Sequence, residues 1–296
     1  MNTTRRLTCW GALPGAIVAL LFALPGHASE SRAYTEEFHH TYPLTPSGRV
    51  ELDNINGAVH IRAWDRNEVQ VDAVKFAGTK ERLEEAQIRV SAGSDYVSIH
   101  TEYRDEHDLN FNDDDERHNP ASVEYTLTVP RKARLSEIKL INGALDIAGV
   151  AGEVRASSIN GHLRAENLAG RAKLSTINGR LEVRFDQIPD SPVELSSVNG
   201  GLEVTLPSDA RAELEASTVH GNIENDFGLR VNRHRYVGSD LHGELAGGGT
   251  RVRLNNVNGR IEIRHANDNR ALSPARDLTR EDASREDDDR DDDDDI

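Results

Sequence analysis

Cysteine is almost absent: the 296-residue chain has one, Cys9, in an N-terminal segment that reads as an export leader. Beyond that leader there is no disulfide, no thiolate metal site and no cysteine nucleophile. A lipoprotein anchor is excluded too, because the apolar run Ile17 to Leu24 follows Cys9 instead of preceding it. Aromatic residues make up only 5% of the chain, too few for the girdles of an outer-membrane barrel, whose strands also need about 9–11 alternating residues. Long apolar runs are missing. Pro14, Gly15 and Pro25 interrupt the one candidate, which falls short of the roughly 20 residues that span a membrane. A basic surplus is missing as well: the formal net charge is -16, and without a basic stripe nucleic acid is not expected as a partner. No Gly-x-Ser-x-Gly, His-Glu-x-x-His or phosphate-loop motif occurs.

What is present at the two ends sets the organisation. Arg5 and Arg6, the apolar run, and Gly26-His27-Ala28 form the three parts of a secretory signal peptide, so residues 1–28 are expected to be removed and the protein exported to the periplasm or the cell surface. After cleavage it is not expected to be an integral membrane protein. At the other end, residues 281–296 carry eleven acidic side chains against Arg285 and Arg290. Such a block cannot bury enough apolar surface to order itself, and residues 266–296 are read as a disordered acidic tail.

Internal repetition decides the expected architecture. The pattern apolar-Asn-Gly recurs at Asn56-Gly57, Asn142-Gly143, Asn160-Gly161, Asn178-Gly179, Asn199-Gly200 and Asn258-Gly259, with His for Asn at His220-Gly221 and His242-Gly243. From Gly143 to Gly179 glycine falls every nine residues, and each unit reads Gly-x-apolar-x-apolar-x-x-apolar-x. The apolar positions, three per unit and expected to be buried, are Leu145, Ile147, Val150; Val154, Ala156, Ile159; Leu163, Ala165, Leu168; and Ala172, Leu174, Ile177, with Ile55, Val198 and Val257 at the same offset before their glycines. The i, i+2 pairs mark half-buried strands, and the glycines mark corners where φ is positive. Two similar halves make an 18-residue repeat. The spacing then loosens to 21, 22 and 16 residues, with Pro189, Pro192 and Pro207 in the loops.

These features predict an all-β chain: a parallel β-solenoid of 18–22-residue coils with a helix-bearing insert near its N-terminus. An antiparallel meander or sandwich is the alternative, since Asn-Gly also serves two-residue hairpins. Residues 29–133 are assigned to an N-terminal β region with the first coil, and residues 134–265 to the repeats. Within the first region, Thr79 to Gln87 reads as a short helix capped by Thr79. Ile88 to Ser91, Tyr96 to Thr101 and Val123 to Val129 alternate as strands.

With its leader, early Asn-Gly copy, helix-bearing insert and later run of Asn-Gly repeats, the chain resembles the bacterial adhesin-like family of β-strand-repeat (Asn-Gly repeat) envelope proteins, related to GIN-type adhesin-head domains. The likeness covers roughly residues 34 to 265. It implies a β-helical envelope protein with no catalytic residues to carry over.

Candidate chemistry is sparse. Calcium-binding nonapeptide repeats need Gly-Gly-x-Gly-x-Asp, and here Asp146 is followed at equivalent places by Arg164 and Glu182. The insert Asp108 to Glu116 imitates a calcium loop without its sixth-position Gly or twelfth-position Glu. His39 and His40 are adjacent, so a strand sends them to opposite faces. Glu182, Glu203 and Glu262 share a motif position and are expected to form one solvent-facing column, neutralised by Arg164, Arg180, Arg184, Arg260 and Arg264. No cofactor and no metal are expected. The reading is a non-enzymatic exported scaffold that contacts an envelope protein, glycan or surface. The alternatives are a β-helix polysaccharide lyase or hydrolase using that glutamate column, or a regulatory partner in envelope stress.

Overall fold

A computed structural model describes residues 34–103, 120–234 and 238–278. The leader, the acidic insert Asp108 to Glu116 and the acidic run from Glu281 lie outside the described residues.

The N-terminal part supplies β1 (Tyr34–Pro43), β2 (Arg49–Asn56), β3 (Val59–Trp64), β4 (Glu68–Ala77), helix α1 (Lys80–Glu85), β5 (Ala86–Ala92), β6 (Tyr96–Tyr103) and β7 (Ser122–Pro130). Pairs of a longer and a shorter strand, joined at Asn-Gly, follow: β8 (Arg134–Asn142) with β9 (Leu145–Ala148), β10 (Val154–Asn160) with β11 (Leu163–Glu166), and β12 (Ala172–Asn178) with β13 (Leu181–Arg184). Next come β14 (Val193–Asn199) with β15 (Leu202–Leu206), and β16 (Ala212–His220) with β17 (Ile223–Asn225). After β18 (Asn232–Arg233) and β19 (Ser239–Leu245), one more pair forms from β20 (Thr250–Asn258) and β21 (Ile261–His265), and β22 (Ala275–Asp277) closes the order. Helix α1 begins where its cap was expected, with the Thr79 hydroxyl accepting from the Arg82 amide at 3.3 Å.

Two large open sheets result. One runs β1-β4-β7-β3-β9-β11-β13-β15-β21-β17, the other β18-β19-β16-β20-β14-β12-β10-β8-β2-β6-β5, with β22 on β19. In the middle of both, the ladders are parallel and in register: Leu145 pairs with Leu163, Leu163 with Leu181, Leu181 with Leu202 and Leu202 with Ile261. All five are fully buried. At the ends the pairing is antiparallel, β1 on β4 and β4 on β7 at one, β16 on β19 at the other. The sheets are therefore mixed, which corrects the expectation of a parallel array throughout.

Spatial order also departs from chain order. The strand β20 lies between β14 and β16, so the last repeat fills a place that the chain skipped when it laid down β16. The turn Ala246 to Gly249 makes this possible. All four residues have positive φ, and a Cβ on Gly249 would sit 2.7 Å from the Arg211 carbonyl oxygen. Three consecutive glycines let the backbone step over the start of β16 in four residues. The irregular spacing of the later repeats follows from this crossing.

Corner glycines have a second duty beyond their torsion. At Gly161 φ is +146°, and an added Cβ would lie 1.9 Å from the carbonyl oxygen of Gly143 in the strand alongside. Each corner rests directly on its neighbour's backbone, which is why glycine recurs there.

The two halves of the repeat are not alike, contrary to the expectation from the pattern. In one half, Gly149 (φ +73°) or Asn167 (φ +53°) breaks the strand alternation, and the next apolar residue, Val150 or Leu168, turns inward. In the other half the alternation runs unbroken to the corner. Val154, Ala156 and Ser158 then face in, and Ile159 faces out. Buried polar groups replace the expected apolar side chains at that position. Thr176 donates to the Gly161 carbonyl at 3.4 Å, Thr218 to that of Gly259 at 3.3 Å, and Asn256 to that of Gly200 at 2.9 Å. At the first corner Asn54 donates to Val123 at 2.9 Å and accepts from Thr101 at 3.0 Å, whose hydroxyl lies 2.8 Å from the Tyr125 hydroxyl.

Chemical denaturation checks this inside-outside assignment. Leu163→Ala is expected to lower stability by about 2–5 kcal/mol and Gly161→Ala by about 1–3 kcal/mol, while Ile177→Ser stays within about 0.5 kcal/mol of the parent. A large loss in Ile177→Ser would contradict its outward direction.

Alkaline unfolding is a second check. Burial pushes the Tyr103 phenol up to about 12 and raises that of Tyr125 as well. An unfolded phenol titrates near about 10. The folded state therefore holds these protons more tightly, and the stability they contribute is complete below pH about 10 and lost as the pH rises toward about 12. The fall in denaturation midpoint between pH 9 and pH 11 should be smaller in Tyr125→Phe than in the parent chain.

Candidate functional site

The longer strands of the repeats end at a common edge, and their last two residues build two ladders there. Asn56, Asn142, Asn160, Asn178, Asn199, Asn258 and His220 occupy one register position. The side-chain amides are chained: Asn160 donates to Asn142 at 2.9 Å, Asn178 to Asn160 at 3.0 Å, Asn199 to Asn178 at 2.9 Å and Asn258 to Asn199 at 2.8 Å. The glycine amides from Gly57 to Gly200 also donate to the asparagine carbonyl of the adjoining strand, as Gly161 does to Asn178 at 2.9 Å, and Gly259 donates to the His220 carbonyl at 2.9 Å. A side-chain amide has two donor hydrogens and two acceptor lone pairs. An interior rung uses one of each, and the other donor and acceptor face solvent every ~4.8 Å.

One residue earlier stand Ile55, Ile141, Ile159, Ile177, Val198, Val257 and Val219. Of these Ile55, Ile159, Ile177, Val198 and Val257 were expected in the core; the structure leaves Ile55 and Ile141 half-buried and the other five exposed. Ile159, Ile177, Val198, Val257 and Val219 are 38–43% exposed. They are five of the seven large apolar side chains classed as exposed among the described residues, so the apolar surface is concentrated in one stripe and not scattered. Seven strands at ~4.8 Å give the stripe a length of about 29 Å. Exposed apolar surface gathered in this way marks contact sites.

Beyond the stripe, on the same face, lies a column of small polar residues, Ser157, Ser175, Ser196, Asn255 and Ser217, in register. A charged column follows in which Lys173 pairs with Glu194 at 2.9 Å and Arg253 with Glu215 at 2.8 Å. The Lys173 ammonium holds the Glu194 carboxyl below its ordinary range.

The expected corners are brought together with one exception. His220 joins the end of the asparagine ladder opposite Asn258. His242 and Gly243 do not: they lie inside antiparallel β19, opposite Glu215 and Leu214. His242 instead approaches the nearly buried Glu213 at 3.1 Å, beside Arg251. Gly243 is small because a Cβ there would meet Leu229 at 2.4 Å. The motif match at 241–243 was local resemblance without the strand direction that makes a corner.

On the opposite sheet Glu182, Glu203 and Glu262 do share one column, continued by Glu224. Arginines clamp it. Arg164 and Arg180 reach Glu182 at 2.9 and 3.0 Å, and Arg260 and Arg264 both bind Glu262, Arg260 at 3.2 Å. Partial burial pushes the Glu182 carboxyl upward, but the hydrogen bonds from Arg164 and Arg180 outweigh it and hold it below the usual range. The Arg264 hydrogen bond does the same for Glu262 against a smaller opposing effect of burial. A shallow hollow of about 210 Å³ lies between Arg164, Glu182, Arg184, Glu203 and Thr205. His39 and His40 take opposite faces of β1. His39 lies 2.9 Å from Asp72, and the His40 ring lies 4.6 Å from the Phe38 ring, tilted 55° to it. Among the described residues, no three His, Cys, Asp or Glu side chains converge as a metal set.

No family model matches the chain, and no curated protein matches it. Among solved structures, a candidate cell adhesion protein from Clostridium sporogenes is similar over 78% of this chain and 100% of its own, at 11% identity and a TM-score of 0.41. A candidate adhesin from Bacteroides fragilis covers 78% of this chain and 97% of its own, at 10% identity and a TM-score of 0.33. Another, from Parabacteroides distasonis, covers 79% and 98%, at 12% identity and a TM-score of 0.25. At these values the likenesses carry no inference about what this chain does.

Proposed function

We propose that the chain is an exported, non-enzymatic envelope protein whose folded part serves as a β-solenoid interaction scaffold, adhesin-like in use, with 18–22-residue coils. Its leader (residues 1–28) is removed, and its N-terminal β region (29–133) and repeats (134–265) form the rod; the segment 266–296, expected to be a disordered tail, begins instead by folding back, with β22 paired to β19. The contact face is the edge formed by the Ile/Val stripe and the asparagine ladder. One observation carries the reading: five outward apolar side chains stand in register beside amides and hydroxyls at a constant ~4.8 Å repeat. A rigid, periodic, part-apolar and part-amide surface suits an extended glycan or another repetitive surface, because each ring or rung meets the same groups again.

The glutamate column argues against the polysaccharide-cleaving alternative. Adjacent strands of the column are ~4.8 Å apart, close to the roughly 5–5.5 Å carboxylate separation of retaining glycosidases. Such an enzyme needs one carboxyl kept protonated by a raised pKa, whereas Glu182 and Glu262 are both held ionised by arginine.

Co-sedimentation with peptidoglycan sacculi and with an insoluble polysaccharide panel tests the proposal. The parent chain is expected in the pellet, and Ile159→Ser/Ile177→Ser/Val198→Ser should bind about tenfold more weakly with unchanged folding. Equal binding by the triple variant would remove the stripe from the contact face. Release of reducing ends that disappears in Glu182→Gln would overturn the non-enzymatic reading.

A further inference from the structure

The ends of the two sheets differ in how they are protected. At one end of the ten-stranded sheet β17 has three residues, and the other sheet ends at β5, seven residues with Arg89 among them, and at β18, with two. Strands as short as β17 and β18 offer little to pair with. The edge strand β1 is different. It has ten residues, pairs with β4 without a bulge from Tyr34 to Pro43, and is mostly exposed. Natural edges are usually blunted by lysine, internal proline or a bulge. Here β1 contains no lysine or arginine, and its one proline is the last residue. Among the described residues nothing pairs with its outer side.

Its sequence, Tyr-Thr-Glu-Glu-Phe-His-His-Thr-Tyr from Tyr34 to Tyr42, is complementary to itself about its centre, with like side chains at the outer positions and carboxylates opposite imidazoles at the inner ones. Phe38 is the centre, flanked by Glu37 and His39, then Glu36 and His40, Thr35 and Thr41, and Tyr34 and Tyr42. We propose that β1 pairs antiparallel with β1 of a second copy of this chain about a twofold axis at Phe38, joining two ten-stranded sheets into one.

Each rung then has a suitable partner. Phe38 meets Phe38, both carboxylates of each chain meet imidazoles of the other, and threonine meets threonine on the outward face. Cross-strand neighbours point to the same face of a sheet. From the pairing with β4, Tyr34, Glu36, Phe38, His40 and Tyr42 lie on the side of buried Val69, Val71 and Ala73, and Thr35, Glu37, His39 and Thr41 lie on the other. A twofold axis at Phe38 preserves that division, so Phe38 and Tyr42, already packed against the core, would extend it across the junction. A shift by one residue would set the two faces against each other and break the acid–imidazole matches. The free main-chain groups of such a strand supply about eight to ten hydrogen bonds to its copy.

Sedimentation equilibrium of the full chain, expressed with its leader and purified from the envelope fraction, tests the pairing. The expected mass is that of two chains. Thr35→Lys/Thr41→Lys, at two exposed outward positions, sets like charges across two rungs and should weaken self-association by about tenfold or more. Thr35→Lys/Thr41→Glu should restore it. Register is read separately by oxidation. The double variant Thr35→Cys/Thr41→Cys should cross-link into dimers, and neither single variant should. A single-chain mass throughout, a dimer indifferent to Thr35→Lys/Thr41→Lys, or single-cysteine variants that cross-link as readily as the double would each overturn the proposal.

Discussion

Everything in the middle of this protein depends on how closely one corner approaches the next. The carbonyl oxygen of Gly143 occupies the space that a Cβ on Gly161 would take, and Gly161 does the same to Gly179. This contact sets the spacing of the strands at the bend, and the register follows from it. With the corners seated on one another, Leu145, Leu163 and Leu181 must fall in line. The asparagine amides fix the same register from outside, and the buried hydroxyls and amides that bind the glycine carbonyls fix it from inside. Three independent sets of hydrogen bonds and contacts thus agree on one alignment, and a slip of one residue would break all of them while turning every leucine into solvent.

The asymmetry of the repeat explains why such a structure has an apolar surface at all. A strand that alternates without interruption must send its last apolar residue outward if its first faced inward. At Gly149 and Asn167 the chain breaks that parity and saves the following side chain for the core. At the asparagine corners it does not. An isoleucine or valine in the outward place could be exchanged for a polar residue with little loss of stability. The core does not need its repetition along the edge, and the proposed contact surface would make use of it.

Much of this could be read from the residues. The glycine beat located the corners, the i, i+2 pairs located the leucine ladders, and Thr79 located the helix start. Ile159 was misassigned because an i, i+3 spacing fits both a parity break and an unbroken strand, and only backbone torsions distinguish them. His242 was misassigned because a three-residue motif carries no strand direction. The place of β20 between β14 and β16 was hidden for another reason: local pattern determines what a strand packs on its faces, while its neighbours depend on where the loops take it. Nothing in the composition of Gly247 to Gly249 indicates a crossing over β16. The glutamate column was legible, since it follows from the repeat alone, and so were its arginine partners, because Arg180 and Arg260 stand two residues before Glu182 and Glu262 in the same segments.

A stack of parallel strands has no inherent end, since each new rung presents the same edge as the last. The termination must come from outside the repeat, and this chain supplies it by reversing direction. At one end β19 runs antiparallel along β16 and takes β18 and β22 with it. The short strands leave few backbone groups to template another chain. At the other end β4 reverses against β7 and β1 against β4. There the reversal stops the repeat without shortening the edge, because β1 keeps ten residues and an unbroken ladder. The two caps solve the same geometric problem, and only one of them also removes the means of joining a further strand.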